Sequence, residues 1–392
     1  KHGYAGSIGG DIGSFHHNLL AHCEGRNWSL AGGLDGDSYY AGRLDIFNNV
    51  VYNWGGRATD GGAHEVNFVG NYYKKGAATT QNTILRAQLE GTGNGTQSYF
   101  YDNNIVENTN GTLACDGTDN TCSRTYELSG GQELDWEVFV DAPFFESDAI
   151  INSAAEAYKR TLSDVGCVQP AFDDHDIRII HETIDGTYSC NGSYTGKPGL
   201  PDHEKDVGYW ETYPGYVRSE SWDSDLDGMP DWWENVHGMN PSSAKGDFSE
   251  SNADPDRNGY TNLEEFLQWM DRPHYFLNGE DSLEVDLGQY ARGFTQDPEF
   301  SIVSTIGGSA SIQANTSMLT YVVSSEVLGE VVFSVLDTVG TELERRIGLY
   351  NGIIPADKPF AYTYYRDREK TTLVEVDTLN SGPSDTTSVV NG

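Results

Sequence analysis

The sequence predicts an all-β chain. It divides into a parallel β-helix over residues 1–206, a small helical module over 207–275, a β-sandwich over 276–378 and a linker-like tail over 379–392. Three observations lead to this organisation. Asparagines precede β-forming pairs at intervals in the first part, acidic loops separate helical stretches in the second, and apolar residues alternate with polar ones in the third.

The asparagine pattern predicts the fold of the first part. Asn18, Asn49, Asn71 and Asn104 stand 31, 22 and 33 residues apart, and a period near 22 with variable insertions is typical of stacked β-coils. We expect these side chains to bond to one another at one corner, because asparagine tolerates the left-handed backbone that such a bend requires. An asparagine-rich antiparallel protein with hairpins is the alternative.

The strand pattern is interrupted after residue 150. The apolar spacing predicts a short amphipathic helix over Ala154 to Leu162, and "DDHDIRIIHETIDGT" reads as a segment packed over the coils. Two further helical stretches, "MPDWWENVHG" and "NLEEFLQWM", follow a Gly/Pro/Tyr-rich linker at 191–215. From about residue 276, period-2 alternation with frequent turns predicts a small antiparallel sandwich.

The charge of the chain limits its partners. A formal net charge of −36 excludes nucleic acid and anionic membranes as electrostatically attracted partners. No apolar run has the length of a membrane span, so we expect no membrane insertion.

The cysteines indicate an oxidising compartment. Cys115 and Cys122 flank a short polar loop that a disulfide can close, and Cys167 and Cys190 offer a second pair that leaves Cys23 over. Because no C-x-x-C metal spacing occurs, disulfides are the favoured interpretation. We therefore expect an extracellular or cell-surface protein.

Two loops match one calcium-binding template. Carboxylate or amide side chains at loop positions 1, 3, 5, 9 and 12, a glycine at 6 and a backbone carbonyl at 7 converge on one oxygen-lined point. The two loops resemble the calcium repeats of secreted bacterial enzymes, related to EF-hand, dockerin and thrombospondin type 3 modules. We expect them to bind Ca²⁺ in a structural role. The predicted ligands are Asp223, Asp225, Asp227, Met229, Asp231 and Glu234 in the first loop, and Asp254, Asp256, Asn258, Tyr260, Asn262 and Glu265 in the second.

Three segments of residues 1–200 carry a resemblance to a known family. They are "SFHHNLLAHCEGRNWSLAGGLDG", "RLDIFNNVVYNWGGRATDGGAHEVNFVGNYYKKGAAT" and "DVGCVQPAFDDHDIRIIHETIDGT". Together they resemble polysaccharide lyase family 1, the pectate lyases, in the branch found in secreted bacterial proteins. The resemblance implies a right-handed parallel β-helix. It also implies calcium-assisted β-elimination of a uronate-containing polysaccharide of the polygalacturonate or pectin type.

Arg26 matches the catalytic arginine of that family. The family motif continues with a proline and a second arginine, where this chain has Trp28 and, near the second position, Ala31. The departure concerns the substrate subsite more than the chemistry. The resemblance assigns the base to the arginine. Because a guanidinium pKa lies above 12, two possibilities stay open. Either the arginine is the base and its pKa is lowered, or Arg26 stabilises the anion while water or another side chain takes the proton.

Other residues near these coils are candidates for binding the acidic polysaccharide. His22 and His64 are candidates because histidine is a residue type that can exchange a proton near neutral pH. Arg43 and Arg57 bring positive charge, and Trp28 offers a ring for stacking on a sugar. Each also has a purely structural interpretation, as a hydrogen-bonded histidine, a surface cation or a packed core residue.

The family's calcium-holding carboxylates lie on coils before the arginine strand. We therefore expect an N-terminal β-helix segment, or a surface-anchoring partner, to complete this chain. Two other functions stay open. One is a non-catalytic glycan-binding or structural β-helix, favoured by the lost second arginine. The other is a lyase for a different uronate polymer, favoured by Trp28 in place of proline.

Overall fold

The computed structural model describes residues 3–89, 93–129, 134–167, 172–209, 214–219, 221–324, 326–355, 358–363 and 375–378. The chain forms two compact units. The first unit comprises residues 1–166, 174–208 and 291–295, and the second comprises 167–173, 209–290 and 296–392. The predicted domain boundaries stay predictions.

The first unit contains three five-stranded sheets through which the chain passes in rotation. Each of the first nine strands pairs in parallel with the strand three places further along. The strands are β1 (Ser7–Gly9), β2 (Ile12–His16), β3 (Leu19–Ala21), β4 (Ser29–Ala31), β5 (Arg43–Phe47), β6 (Val50–Tyr52), β7 (Thr59–Gly62), β8 (Glu65–Val69), β9 (Tyr72–Lys74), β10 (Leu85–Leu89), β11 (Ser98–Asp102), β12 (Ile105–Glu107), β13 (Leu113–Asp116), β14 (Arg124–Leu128) and β15 (Phe139–Val140).

The sheets are named by their strands. The first sheet has the order β1-β4-β7-β10-β14, the second β15-β11-β8-β5-β2, and the third β13-β12-β9-β6-β3. The inward side chains form one apolar core, in which Leu44, Ile46, Val66, Phe68 and Leu85 are fully buried.

The predicted asparagine ladder is confirmed. Asn18 donates to Asn49 at 2.9 Å, Asn49 to Asn71 at 3.0 Å, and Asn71 to Asn104 at 3.0 Å. The left-handed backbone, however, falls on the residue before each ladder asparagine. These residues are His17, Asn48, Gly70 and Asn103.

Two helices belong to the first unit. Helix α1 (Ala154–Asp164) begins after Ser153, whose side chain accepts a hydrogen bond from the Glu156 amide, and it confirms the helix predicted there. Helix α2 (Asp174–Asp185) occupies the segment that the sequence reads only as a packed covering.

The second unit combines helices with mostly antiparallel sheets. Helices α3 (Asp231–His237) and α4 (Asn262–Asp271) confirm the two helical stretches predicted in the acidic region. The sheets have the orders β16-β24-β25, β17-β23-β22-β19 and β18-β21-β20, and only β17 pairs in parallel. The strands are β16 (Pro214–Val217), β17 (His274–Phe276), β18 (Ser282–Asp286), β19 (Glu299–Ile306), β20 (Gly308–Ile312), β21 (Met318–Val323), β22 (Leu328–Leu336), β23 (Glu342–Tyr350), β24 (Lys358–Thr363) and β25 (Glu375–Thr378).

The predicted fold class, an all-β chain with a right-handed parallel β-helix, is wrong. The described residues form a mixed architecture of parallel sheets, four α-helices and antiparallel sheets. Even the third sheet of the first unit ends on an antiparallel strand, since β13 turns back along β12. The asparagine period reports only a repeated bend. It carries no information on the helices that lie between and after the strands.

One disulfide joins Cys115 to Cys122, as the sequence predicts for that loop. Cys190 carries a free thiol, so the second pairing considered, with Cys167, is not formed. Among the described residues, no helix has both the length and the apolar character needed to cross a membrane.

Candidate functional site

The outward face of the first sheet is lined largely by small side chains. Side chains alternate between the two faces of a strand, and Ile8 and Leu30 point into the core. Ser7 and Ser29 are register partners on the opposite face, followed by Asp60 and Arg86. We call this outward face, with Ser7, Ser29, Asp60 and Arg86, the floor of the first sheet.

Arg26 stands at the edge of this floor. Its guanidinium donates to Ser7 Oγ at 3.1 Å and lies 4.6 Å from the centre of the Tyr4 ring. No carboxylate of the described residues forms an ion pair with it, and its buried Nε has no hydrogen-bond partner there. Arg26 adopts a left-handed backbone, with φ of 55°. Non-glycine residues in this conformation are uncommon and often functional. No described carboxylate therefore balances the charge of Arg26.

Arg57 occupies the position before β7 that Arg26 occupies before β4, the neighbouring strand in the sheet. Asp60 pairs with Ser29 in the register, and each arginine lies three residues before one of these two residues. Its guanidinium lies 5.6 Å from the centre of the same Tyr4 ring. It also binds Asp60 through two hydrogen bonds of 2.5 and 2.8 Å, which raise the pKa of Arg57. We call Tyr4, Arg26, Arg57, Ser7 and Asp60 the arginine corner.

A third cation lies beside the arginine corner, and the sequence gives no signal for it. Lys197 binds both oxygens of Glu24 at 2.6 Å across 173 residues of sequence. The Glu24 carbonyl in turn accepts the Arg57 amide at 3.4 Å. The residues around Lys197 in the sequence do not indicate its position beside Glu24, because the packing of a distant loop brings the two together.

His22 is buried rather than exposed to the floor. Its Nε2 lies 2.7 Å from Glu182, and its Nδ1 lies 3.0 Å from the Asn53 amide. Burial alone would raise the pKa of Glu182, but hydrogen bonds from His22 and Ser189, together with the charge of Arg178, lower it to about 2. His22 thus joins the third sheet to helix α2, and its role in substrate binding stays a prediction.

Trp28 is half-buried and packs against the core of the first unit. Its ring centre lies 5.9 Å from that of Phe15, in a tilted arrangement. It also lines a cavity of about 400 Å³ together with Leu20, Cys23 and Ile180. Its ring therefore faces the interior more than the floor.

Arg43 and His64 come together at a different place. Arg43 donates to Glu65 at 2.7 Å, and His64 lies 3.6 Å from the other oxygen of the same carboxylate. Arg43 begins β5 and His64 precedes β8, both strands of the second sheet, whereas the arginine corner belongs to the first. The structure thus separates Arg43 and His64 from Arg57.

The first acidic loop places three carboxylates around one point. Asp223, Asp225 and Asp227 have ligand atoms within 4.8 Å of one another. Glu234, at the last loop position, is fully buried, and neither of its carboxylate oxygens has a hydrogen-bond partner. Burial, reinforced by the charges of the neighbouring aspartates, raises the pKa of Glu234 to about 8. A buried carboxylate without a partner is costly.

The remaining predicted ligands of the first loop differ in their availability. Asp231 accepts hydrogen bonds from the amide and the hydroxyl of Ser224, at 2.7 and 2.6 Å, so that both its oxygens are engaged. Met229 is buried, and its amide donates to Asp227 at 2.9 Å. Both oxygens of Asp223 are likewise engaged, by the Leu226 and Gly228 amides. The carboxylates that the structure brings together are Asp223, Asp225 and Asp227, and the roles of Met229, Asp231 and Glu234 as ligands stay predictions.

The second acidic loop is more exposed and internally bonded. The amide of Asn258 donates to Glu265 at 3.0 Å and to Asp256 at 3.1 Å. Asp254 accepts the Gly259 amide at 3.1 Å, and Asn262 donates to the Glu250 carbonyl at 2.8 Å. Tyr260 is half-exposed. Across the described chain, only the first loop brings three metal-ligating side chains together.

No model of a known protein family matches the chain, and no curated protein is similar to it by sequence search. The arginine corner and the first acidic loop are therefore interpreted from their own chemistry.

Proposed function

We propose that the chain is a polysaccharide lyase that cleaves uronate-containing polysaccharide, of the polygalacturonate or pectin type, by β-elimination. The observation that supports this most directly is the half-buried guanidinium of Arg26, which has no carboxylate partner among the described residues. In a chain with a net charge of −36, an uncompensated cation beside a floor of small residues fits an acidic polymer.

The proposed chemistry gives Arg26 the role of charge stabilisation. A base removes the C5 proton of the uronate, a double bond forms between C4 and C5, and the C4–O bond breaks as its oxygen takes a proton. Negative charge develops on the carboxylate during this step. A preorganised cation at hydrogen-bond distance stabilises such charge more in the transition state than in the ground state. With Arg26 in that role, the base is a water molecule or another side chain.

Tyr4 and Arg57 support Arg26 in this proposal. The Tyr4 ring holds the guanidinium through a cation–π contact at 4.6 Å, and Ser7 fixes one of its amino groups. Arg57 adds positive potential, although Asp60 neutralises most of its charge. These contacts orient the Arg26 side chain before the substrate arrives.

The family resemblance also implies calcium beside the catalytic arginine. Among the described residues, no set of three metal-ligating side chains lies at the arginine corner, where Asp60 is already bound to Arg57. The residues present there do not fit such an ion, and we derive no step through it.

We propose Ca²⁺ as a structural cofactor of the acidic loops. In the first loop Asp223, Asp225, Asp227 and Glu234 would hold the ion, which there neutralises a buried cluster of carboxylates. In the second loop Asp254, Asp256, Asn258 and Glu265 would bind it more weakly, because the loop is exposed. The Cys115–Cys122 disulfide supports a secreted location.

Incubation with polygalacturonate and calcium tests the proposal through the ultraviolet absorbance of the unsaturated product. Arg26→Ala should lower the rate by a factor of about 100 or more with little change in melting temperature. Arg346→Ala, which removes an exposed cation of the second unit, is the matched control and should leave the rate unchanged. Full activity of Arg26→Ala, or no product from any uronate polymer, would refute the proposal.

A second candidate is non-catalytic binding of an acidic glycan. It is favoured by the lack of a calcium-ligating group beside Arg26 among the described residues. One experiment distinguishes the two functions. A protein that only binds the glycan shows binding of trigalacturonate in a titration but forms no unsaturated product. Alginate and glucuronate polymers in the same assay test the lyase with a different uronate substrate.

A further inference from the structure

The second unit contains an open cavity of about 790 Å³, within the size range of small-molecule sites. Helix α3 provides one wall through Trp232, Asn235 and Val236. The opposite wall comes from the start of β22 and the end of β23, through Leu328 and Tyr350. The cavity lies within one compact unit and does not involve the arginine corner.

The floor of this cavity is preformed. The rings of Trp232 and Tyr350 lie 4.5 Å apart, and both side chains are more than nine-tenths buried. Trp232 is held further by Trp269 at 5.3 Å and by Phe276 at 5.4 Å. A ligand therefore meets a fixed surface and has little ordering to impose on it.

The mouth of the cavity offers apolar surface. Val327 is 45% exposed and Ile353 is 76% exposed, and both line the opening. Exposed branched side chains beside a cavity give a surface on which the C–H groups of a sugar ring can pack.

Hydrogen-bond acceptors lie beside this apolar surface. Glu326 is exposed and forms no ion pair with any described residue. Asn235 uses its amide nitrogen to bond the Asp231 carbonyl at 2.6 Å, which leaves its side-chain oxygen to accept. Ser221 adds a hydroxyl. A ligand rich in hydroxyl donors matches this arrangement.

The charge of the lining distinguishes it from the arginine corner. Its acidic residues are Asp231 and Glu326, and no basic residue is among the described residues that line the cavity. A uronate carboxylate would be repelled here, whereas a neutral sugar is not.

From this combination we propose that the cavity binds a neutral oligosaccharide, such as a neutral chain attached to or lying beside an acidic polymer. The proposal goes beyond the lyase function and does not depend on it. It assigns the second unit a glycan-binding role separate from any elimination at Arg26.

Titration calorimetry of the full chain in calcium-containing buffer tests this with cellotetraose, xylotetraose and galactotetraose, and with trigalacturonate as the acidic comparison. We expect one or more of the neutral oligosaccharides to bind. Val327→Trp fills the mouth and should weaken that binding at least about tenfold, and Glu326→Gln should weaken it by about a factor of 10 through loss of a charge-assisted hydrogen bond.

Val339→Trp is the matched control, because Val339 is 65% exposed but does not line the cavity, and it should bind normally. Arg26→Ala should also bind the neutral sugar normally. The proposed neutral-sugar site would therefore remain supported if the lyase proposal failed. Lack of binding by all three neutral oligosaccharides, unchanged binding in Val327→Trp, or loss of trigalacturonate binding in that variant would overturn the inference.

Discussion

Arg26 and Arg57 present their guanidinium groups to one ring, that of Tyr4, at 4.6 and 5.6 Å from its centre. They differ in what balances their charge. Asp60 binds Arg57 twice, whereas no described carboxylate pairs with Arg26. Two cations of equivalent position thus differ: Arg57 is paired with a carboxylate, and Arg26 has no carboxylate partner among the described residues.

This difference predicts opposite effects for two alanine variants. Arg26→Ala should weaken trigalacturonate binding by about tenfold while the melting temperature stays close to that of the unaltered protein. Arg57→Ala should lower the melting temperature more than the affinity, because it leaves the 96% buried Asp60 carboxylate without a partner. Calorimetric titration and thermal unfolding measure the two effects. Equal losses of affinity in both variants would contradict the assignment.

Glu234 should be the main determinant of calcium binding in the first loop. Glu234→Gln removes a buried carboxyl that must either carry a charge or keep a proton above its ordinary pKa, so the calcium-free protein should become more stable while its calcium affinity falls by about tenfold or more. Denaturant unfolding with and without calcium measures both quantities. Glu265→Gln is the matched change in the second loop. Because Glu265 already accepts a hydrogen bond from Asn258, this variant should alter calcium-free stability only slightly.

Calcium-free stability should depend on pH through Glu234. The folded state raises the pKa of this carboxyl from 4.5 to about 8, so the folded protein binds its proton more tightly than the unfolded chain does. The free energy of unfolding should therefore fall as pH rises from 4.5 to about 8. Unfolding curves across this range in a chelating buffer test it. The same slope in Glu234→Gln would show that another group is responsible.

Glu182 should act on the acid side with the opposite sign. Its pKa is lowered from 4.5 to about 2 in the folded state, so its contribution to stability is present above pH 4.5 and is lost as pH falls towards 2. Glu182→Gln should be less stable than the unaltered protein at neutral pH, since it removes the carboxylate that lies 2.7 Å from His22 Nε2. The two proteins should converge in stability at low pH. A constant difference down to pH 2 would contradict this explanation.

The asparagine ladder should contribute substantially to the stability of the first unit. Asn71 is fully buried, donates to the Ile46 carbonyl and to Asn104, and accepts from Asn49. Asn71→Ala leaves several of these buried groups without partners and should cost about 3 kcal/mol in free energy of unfolding. Asn82→Ala, at an exposed position, should stay within about 0.5 kcal/mol. Urea unfolding of both variants measures the difference.

Features that depend on a regular repeat or on a short loop could be predicted from the sequence. The spacing of Asn18, Asn49, Asn71 and Asn104 predicts their ladder, because each amide bonds to the next strand at a repeated bend. The alternate aspartates of the first loop predict their own convergence, since a short turn brings them together. The fold class was wrong because a repeated bend says nothing of helices such as α2, nor of β13 turning back along β12.

The tertiary structure alone decided which distant side chains meet. Strand register places Arg57 beside Arg26 but leaves Arg43 and His64 together at Glu65, and loop packing brings Lys197 to Glu24. It also determined that Glu234 is buried without a partner while Glu265 is bonded to Asn258, although the two occupy the same position in their loops. A repeat and the hydrogen bonds within a short loop can be recognised in the sequence. Burial and charge pairing, in contrast, are determined only when segments far apart in the chain pack together.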